Sequence, residues 1–192
     1  SDKKVGSYGV ISTFSFFGNK IITTGEGGMC TTNSDLYYQK MLLLRDHGMS
    51  PKKKYWHDIV GFNFRMTNLQ AAIGCAQLEK IDDILKRNSI IESRYKEILK
   101  EQNIQWQSDK DPKRKRVVWI VTGMSNKRDL IIERGVKHGI DVRRFFYPLC
   151  EMDIYNRYSK GNYLISSKLS EYGFSLPTHN DVDFDKISKS LI

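Results

Sequence analysis

Cysteine is scarce in this chain. Cys30, Cys75 and Cys150 are its three, odd in number, far apart and without a C-x-x-C spacing. That pattern excludes a disulfide-stapled scaffold and a structural zinc site, and no metal is expected. Long apolar runs are also missing: nothing approaches the ~20 consecutive apolar residues of a membrane-spanning helix. The opening residues, Ser1-Asp2-Lys3-Lys4, run into glycines and hydroxyls rather than into the apolar stretch of a secretory leader. A cytoplasmic address is the expectation. Low complexity is absent as well. Over 192 residues, 40% are hydrophobic and 28% charged, and Phe 9, Tyr 10 and Trp 3 give enough bulky apolar area to offset the entropy of ordering.

Positive charge is plentiful. Lys+Arg 31 against Asp+Glu 22 leaves +9 and a pI near 9.4. A basic surface suits nucleic acid, an acidic membrane face or a phosphorylated small molecule. The charge gathers in two short runs, Lys52-Lys53-Lys54 and Lys113-Arg114-Lys115-Arg116. Neither carries a nucleic-acid motif or aromatics spaced for base stacking, so solvated loops are expected there. The second run follows Asp109, Asp111 and Pro112, a turn signal ahead of a strand.

Along the chain, residues 10–16, Lys20-Ile21-Ile22 and residues 29–32 are strand-like and punctuated by Gly25, Gly27 and Gly28, which predicts two strands with a tight connection. Asn33 or Ser34 caps a predicted helix carrying Leu36, Tyr37, Met41 and Leu44, with Gly48 as its C′ glycine. Thr67-Asn68-Leu69-Gln70 matches a capping box. Behind it the apolar face returns every three or four residues through Leu99, predicting a long helix with a bend near Asn88. Strands are expected at 117–121 and 141–147, and helices at 128–138 (stopped by Gly139), 167–172 and 184–191. This succession predicts a small α+β domain. The first third holds too few elements for a closed sheet, which leads to the expectation that the chain begins inside a larger fold.

The chemically informative run is Phe14-Ser15-Phe16-Phe17-Gly18-Asn19-Lys20-Ile21-Ile22-Thr23-Thr24-Gly25-Glu26-Gly27-Gly28. Lys20 has no charged neighbour within five residues on either side. Desolvation among such flanks would lower its pKa and leave a free amine able to attack a carbonyl. The Ser15 hydroxyl is suited to a phosphate, and the glycines leave room for a ligand against the backbone. Taken by itself, a lysine at a strand end is usually a surface residue.

The flanks carry more. This run resembles the active-site lysine segment of the DegT/StrS-like nucleotide-sugar aminotransferases, which use pyridoxal phosphate. The resemblance continues through Leu44-Arg45-Asp46-His47-Gly48, Gly61-Phe62-Asn63-Phe64-Arg65-Met66, Leu69-Gln70-Ala71-Ala72-Ile73-Gly74 and Gln77-Leu78. It resumes at Arg143, Phe146-Tyr147-Pro148 and Ser175-Leu176-Pro177-Thr178. It implies an α/β fold, the C-terminal half of an aspartate-aminotransferase-like (fold type I) transferase. Residues 1–66 would end the large cofactor-binding domain, 67–102 would form a long linking helix, and 103–192 a small C-terminal α+β domain.

The roles it implies are specific. Lys20 would hold pyridoxal 5'-phosphate covalently and then carry the proton during transfer, and Ser15 would bind the cofactor phosphate. Asn63 would reach the cofactor phosphate of a neighbouring subunit, making a homodimer with a shared active site. Arg65 would order that loop and face substrate, with Arg143, Tyr147 and Trp119 as further substrate-binding candidates. The amino donor would be L-glutamate and the acceptor a nucleotide-linked 4-keto-6-deoxy sugar, as in polysaccharide and O-antigen sugar biosynthesis. Phe17 stands where many members carry His, and Pro148-Leu149-Cys150 stands for the common Pro-x-His. The aspartate that pairs with the pyridinium nitrogen would precede residue 1, so these residues alone are expected to be inactive. Two other readings compete: a truncated member acting only in dimerisation or regulation, and a related dehydratase, which would carry His at position 20.

Overall fold

The computed structural model describes residues 3–108 and 113–192, so the turn expected at Asp109, Asp111 and Pro112 lies outside the described residues. The chain divides into two compact units, Ser1–Asp82 and Asp83–Ile192. The boundary falls inside the stretch expected to link domains.

In the first unit, β1 (Ile11–Ser15) pairs antiparallel with β2 (Gly28–Thr32), setting Ile11 opposite Thr32 and Ser15 opposite Gly28. Both strands were expected, but their connection is not tight. Residues 16–27 form a long loop, and Lys20-Ile21-Ile22 is part of it rather than of a strand. The loop's own hydrogen bonds to Phe16 close it at the base, which removes any need for a two-residue turn. Next comes α1 (Asp35–Arg45), capped by Ser34, whose Oγ accepts from the Tyr37 amide. The residue after its C-cap, Asp46, is His47 (φ 60°), not Gly48, and Gly48 follows at φ 67°. The Gly48 amide reaches back to the Leu43 carbonyl at 2.8 Å, the 6→1 bond of a Schellman motif without its 5→2 companion, since the His47 amide donates to the Phe62 carbonyl instead.

The capping box at Thr67 is formed in full. Thr67 Oγ1 accepts from the Gln70 amide at 3.2 Å, and Gln70 Oε1 accepts from the Thr67 amide at 2.9 Å. It starts α2 (Asn68–Leu78). The periodic stretch is interrupted at Glu79-Lys80 and continues as α3 (Ile81–Ile98), a helix unbroken at Asn88. The Asn88 side chain is buried and donates to the Val118 carbonyl at 3.0 Å, instead of competing for its own helix backbone.

The second unit holds the core. On α3, Asn88, Ile91, Glu92 and Tyr95 are buried, a stripe at helical spacing. Beyond α3 lie β3 (Gln105–Trp106), β4 (Val121–Met124), α4 (Arg128–Lys137), β5 (Arg143–Arg144), α5 (Leu164–Tyr172), β6 (Gly173–Leu176) and α6 (Phe184–Leu191). The sheet order is β3-β4-β6-β5, antiparallel throughout. Tyr95, Val121, Phe174, Leu176, Ile187 and Leu191 are the centre of the packing. The Tyr95 ring meets Phe184 edge-on, and its hydroxyl donates to the Pro177 carbonyl at 3.0 Å.

Two expected strands shift. The 117–121 strand begins only at Val121, because Val117 faces solvent and the Val118 carbonyl is committed to Asn88. The 141–147 strand shrinks to Arg143–Arg144, which pair with Ser175 and Phe174, and one further bond runs from the Phe145 amide to the Gly173 carbonyl at 3.0 Å. Glycine 139, at φ 63°, stops α4 as expected.

Candidate active site

Lys20 sits at the turn of the long loop between β1 and β2. Its amide donates to the Phe17 carbonyl at 3.0 Å, folding Phe17-Gly18-Asn19-Lys20 into a β-turn. At the base of the loop the Phe16 amide donates to the Gly27 carbonyl. The Phe16 carbonyl accepts from the Thr24 amide and from Thr23 Oγ1, each at 2.9 Å. Thr24 is buried and donates through Oγ1 to the Glu26 carbonyl at 2.6 Å. Gly27 needs its missing side chain: at φ 142° a Cβ would stand 2.7 Å from Thr24 Oγ1 and 2.9 Å from Met66 Cε.

Ser15 ends β1, and its Oγ accepts from the Phe17 amide at 3.2 Å. A hydroxyl that accepts in this way keeps its own proton to donate, and a phosphate oxygen is a fitting acceptor. Lys20 is half-buried, and Phe14 and Phe17 are exposed.

Two motifs that are apart in sequence come together at the end of α1. The Phe62 amide donates to the Leu44 carbonyl at 2.7 Å and the Phe64 amide to the Arg45 carbonyl at 3.0 Å, satisfying carbonyls the helix leaves open. In return the His47 amide donates to the Phe62 carbonyl at 2.9 Å. Asp46 and Asn63 face each other as a bridge pair. The approach is close because both segments carry glycine. A Cβ on Gly61 would lie 2.1 Å from the Gly48 nitrogen, and one on Gly48 would lie 2.0 Å from the Ile59 carbonyl oxygen.

Arg65 organises the polar side of this junction. Its Nε lies 3.4 Å from Asp46 Oδ1 and donates to Asn63 Oδ1 at 3.5 Å. Its guanidinium also lies 3.5 Å from His47 Nε2, and since arginine only donates, that nitrogen accepts. His57 Nδ1 donates to the His47 carbonyl at 2.9 Å. Arg65 thus touches Asp46, His47 and Asn63 at this junction.

Ser15, Lys20, Asn63 and Arg65 all belong to the first unit, whereas Trp119, Arg143 and Tyr147 belong to the second. Arg143 makes a two-point ion pair with Asp141, Nε to Oδ1 at 2.8 Å and the guanidinium to Oδ2 at 2.6 Å. That hydrogen bond pushes its pKa up from the ordinary arginine value. Tyr147 is exposed and Trp119 half-buried. Sequence reasoning gave Gln77 and Thr24 no role of their own, and Gln70 only that of a cap. Its Nε2 also donates to the Glu26 carbonyl at 3.1 Å. The missed signal was spacing: Gln70, Gly74 and Gln77 fall on one helix face.

The profile of the DegT/DnrJ/EryC1/StrS aminotransferase family matches residues 1–190. The chain belongs to that family. It is 42% identical to the GDP-perosamine synthase of Caulobacter vibrioides over 98% of this chain and 53% of that protein. It is 37% identical to the GDP-perosamine synthase of Vibrio cholerae over 97% of this chain and 52% of that one. Among solved structures, Helicobacter pylori PseC, an aminotransferase involved in the biosynthesis of pseudoaminic acid, superposes with a TM-score of 0.82 at 27% identity. It covers all of this chain and 54% of its own. The chain spans about half the length of the curated relatives it matches.

The chemistry of the donor set fits a phosphate-bearing aldehyde. A primary amine stands on a closed turn, and a hydroxyl with a proton to donate lies five residues before it. Among the described residues no group of three or more His, Cys, Asp or Glu is placed to hold a metal, and no helix is long and apolar enough to cross a membrane.

Proposed function

We propose that this chain serves a pyridoxal 5'-phosphate-dependent aminotransferase that moves an amino group from L-glutamate to a nucleotide-linked 4-keto-6-deoxy sugar, in the manner of a GDP-perosamine synthase. One observation carries the reading: a single lysine occupies the closed turn of a loop pinned to its helix, in a chain matched to GDP-perosamine synthases over nearly all its length. When bound, the cofactor supplies the electron sink for the chemistry, and the protein supplies orientation and proton transfer. Lys20 would hold it through Nζ and act as the proton carrier. Ser15 would donate to its phosphate. Asn63, held by Arg65, would reach the phosphate bound by a second copy, so a homodimer with a shared site is part of the proposal. Arg143, Tyr147 and Trp119 are the substrate-side candidates. Phosphates on both cofactor and sugar nucleotide give the net charge of +9 a use. A cytoplasmic place in polysaccharide or O-antigen sugar synthesis goes with that substrate.

The test is reductive trapping. Nζ condenses with the cofactor's aldehyde carbon and releases water, and borohydride then delivers hydride to that carbon and leaves a stable secondary amine. Peptide mass spectrometry is expected to place the pyridoxyl group on Lys20 and to find none in Lys20→Ala. A tag on another lysine overturns the assignment. Turnover of L-glutamate with a keto-sugar nucleotide, in the protein at its natural length, then separates an enzyme from a member that only binds cofactor.

A further inference from the structure

We infer that Gln77 is a positioning residue for Lys20, and this rests on the role proposed for that lysine. One arm of the Lys20 loop, from Phe17 to Lys20, is fixed by its own β-turn. The other arm, Ile21 to Thr23, belongs to no strand. It is held at Thr23 twice, within the loop by Oγ1 donating to the Phe16 carbonyl and from outside by the Thr23 amide donating to Gln77 Oε1 at 2.9 Å from 54 residues away. Thr23 is three residues from Lys20, so this bond sets where the second arm leaves the turn.

The helix face that makes it is built for the purpose. Gln70, Gly74 and Gln77 stand at i, i+4 and i+7 on α2, one above another. Gln77 holds Thr23, and Gln70 holds the Glu26 carbonyl at 3.1 Å. Between them Gly74 lets the loop approach, since a Cβ there would lie only 3.0 Å from Thr24 Cγ2. Gln70 is itself locked by the capping box, which makes the start of α2 a rigid base for the loop. The lysine is therefore placed by an acceptor on a helix remote in sequence, and the side-chain oxygen of Gln77 is the atom that matters.

Gln77→Met keeps the length and removes the acceptor, whereas Gln77→Glu keeps an acceptor oxygen in the same place. With pyridoxal 5'-phosphate and borohydride, the rate of labelling at Lys20 is expected to fall about fivefold in Gln77→Met, the weight of one net hydrogen bond, and to recover to within about twofold in Gln77→Glu. Without cofactor, amide exchange across residues 17–27 is expected to quicken by about the same factor in Gln77→Met, while residues 121–131 keep their protection. Wild-type labelling in Gln77→Met overturns the inference, as does a Gln77→Glu that fails equally. Lost protection at 121–131 also overturns it, since the bond would then serve the fold and not the loop. A wild-type protein that takes no label at Lys20 overturns the function proposed above, a separate result that removes the inference with it.

Discussion

The two compact units are ordered by different means. Among the described residues, every buried hydrophobic side chain belongs to Asp83–Ile192, where α3 and the antiparallel sheet share one packed core. In Ser1–Asp82, among the described residues, only Thr24 and Gly48 are buried, and α1 and α2 bury no residue at all. That unit takes its shape from caps, side-chain bonds to backbone and glycines that let segments touch. The contrast separates two kinds of residue. In the second unit a side chain is important for the volume it fills, whereas in the first it is important for where it holds a loop, and the loops carry Lys20 and Asn63, with Ser15 at the strand end beside the first.

The sharpest way to break that contrast is to empty the core. Phe174 is fully buried at the middle of β6. Phe174→Ala is expected to cost about 3–5 kcal/mol, the usual cost of truncating a buried aromatic. Leu69→Ala, at an exposed position on α2, is expected to stay within about 0.5 kcal/mol. Denaturant unfolding followed by tryptophan fluorescence reads both: Phe174→Ala in a Trp56→Phe background that leaves Trp106 and Trp119 to report on the second unit, and Leu69→Ala in a Trp106→Phe, Trp119→Phe background that leaves Trp56 to report on the first. Equal costs for the two variants would mean that the first unit relies on apolar packing after all.

A smaller effect tests the first unit on its own terms. In Gly61→Ala the new methyl would meet backbone atoms of His47 and Gly48, which cannot swing aside as a flexible side chain does. The junction of α1 with Phe62 and Phe64 should open at a cost of about 1–3 kcal/mol. Hydrogen exchange is expected to show faster amides across residues 44–64 and unchanged protection in β4 and β6. Spread of the effect into those strands would contradict the separation.

The same division explains what the sequence made legible. Local signals were accurate: Ser34 caps α1, Thr67 and Gln70 form their box, and Gly139 stops α4, because each depends on neighbours in the chain. Lys20, Ser15, Asn63 and Arg65 were visible through the resemblance of their motifs to a known family, and Arg65 does meet Asn63. Long-range settings were not legible. The buried bond of Asn88 was not readable because its partner, the Val118 carbonyl, lies 30 residues on. The central strand β6 was passed over because it follows α5 without a break and spans four residues. Gln77 was visible only as part of a family motif, because its partner Thr23 lies 54 residues earlier in a loop of irregular backbone.

The finest test of the contrast is a single buried phenol. Tyr95 is wholly enclosed, and burial pushes its pKa well above the ordinary tyrosine range. In the unfolded chain it ionises near its usual value of about 10, while the folded chain still holds the proton. Above that pH the native state binds more protons than the unfolded one, so stability falls as pH rises, by up to about 1.4 kcal/mol per pH unit. Below it both states are protonated and the contribution is flat. Tyr95→Phe loses the bond to the Pro177 carbonyl, about 1 kcal/mol at neutral pH, and with it the alkaline slope. The wild-type advantage is therefore expected to shrink above pH ~10 and to reverse roughly one unit higher. Urea unfolding of both proteins across that range, read in the Trp56→Phe background, checks it. Parallel curves would show that water reaches Tyr95 and that the core is looser than its packing indicates.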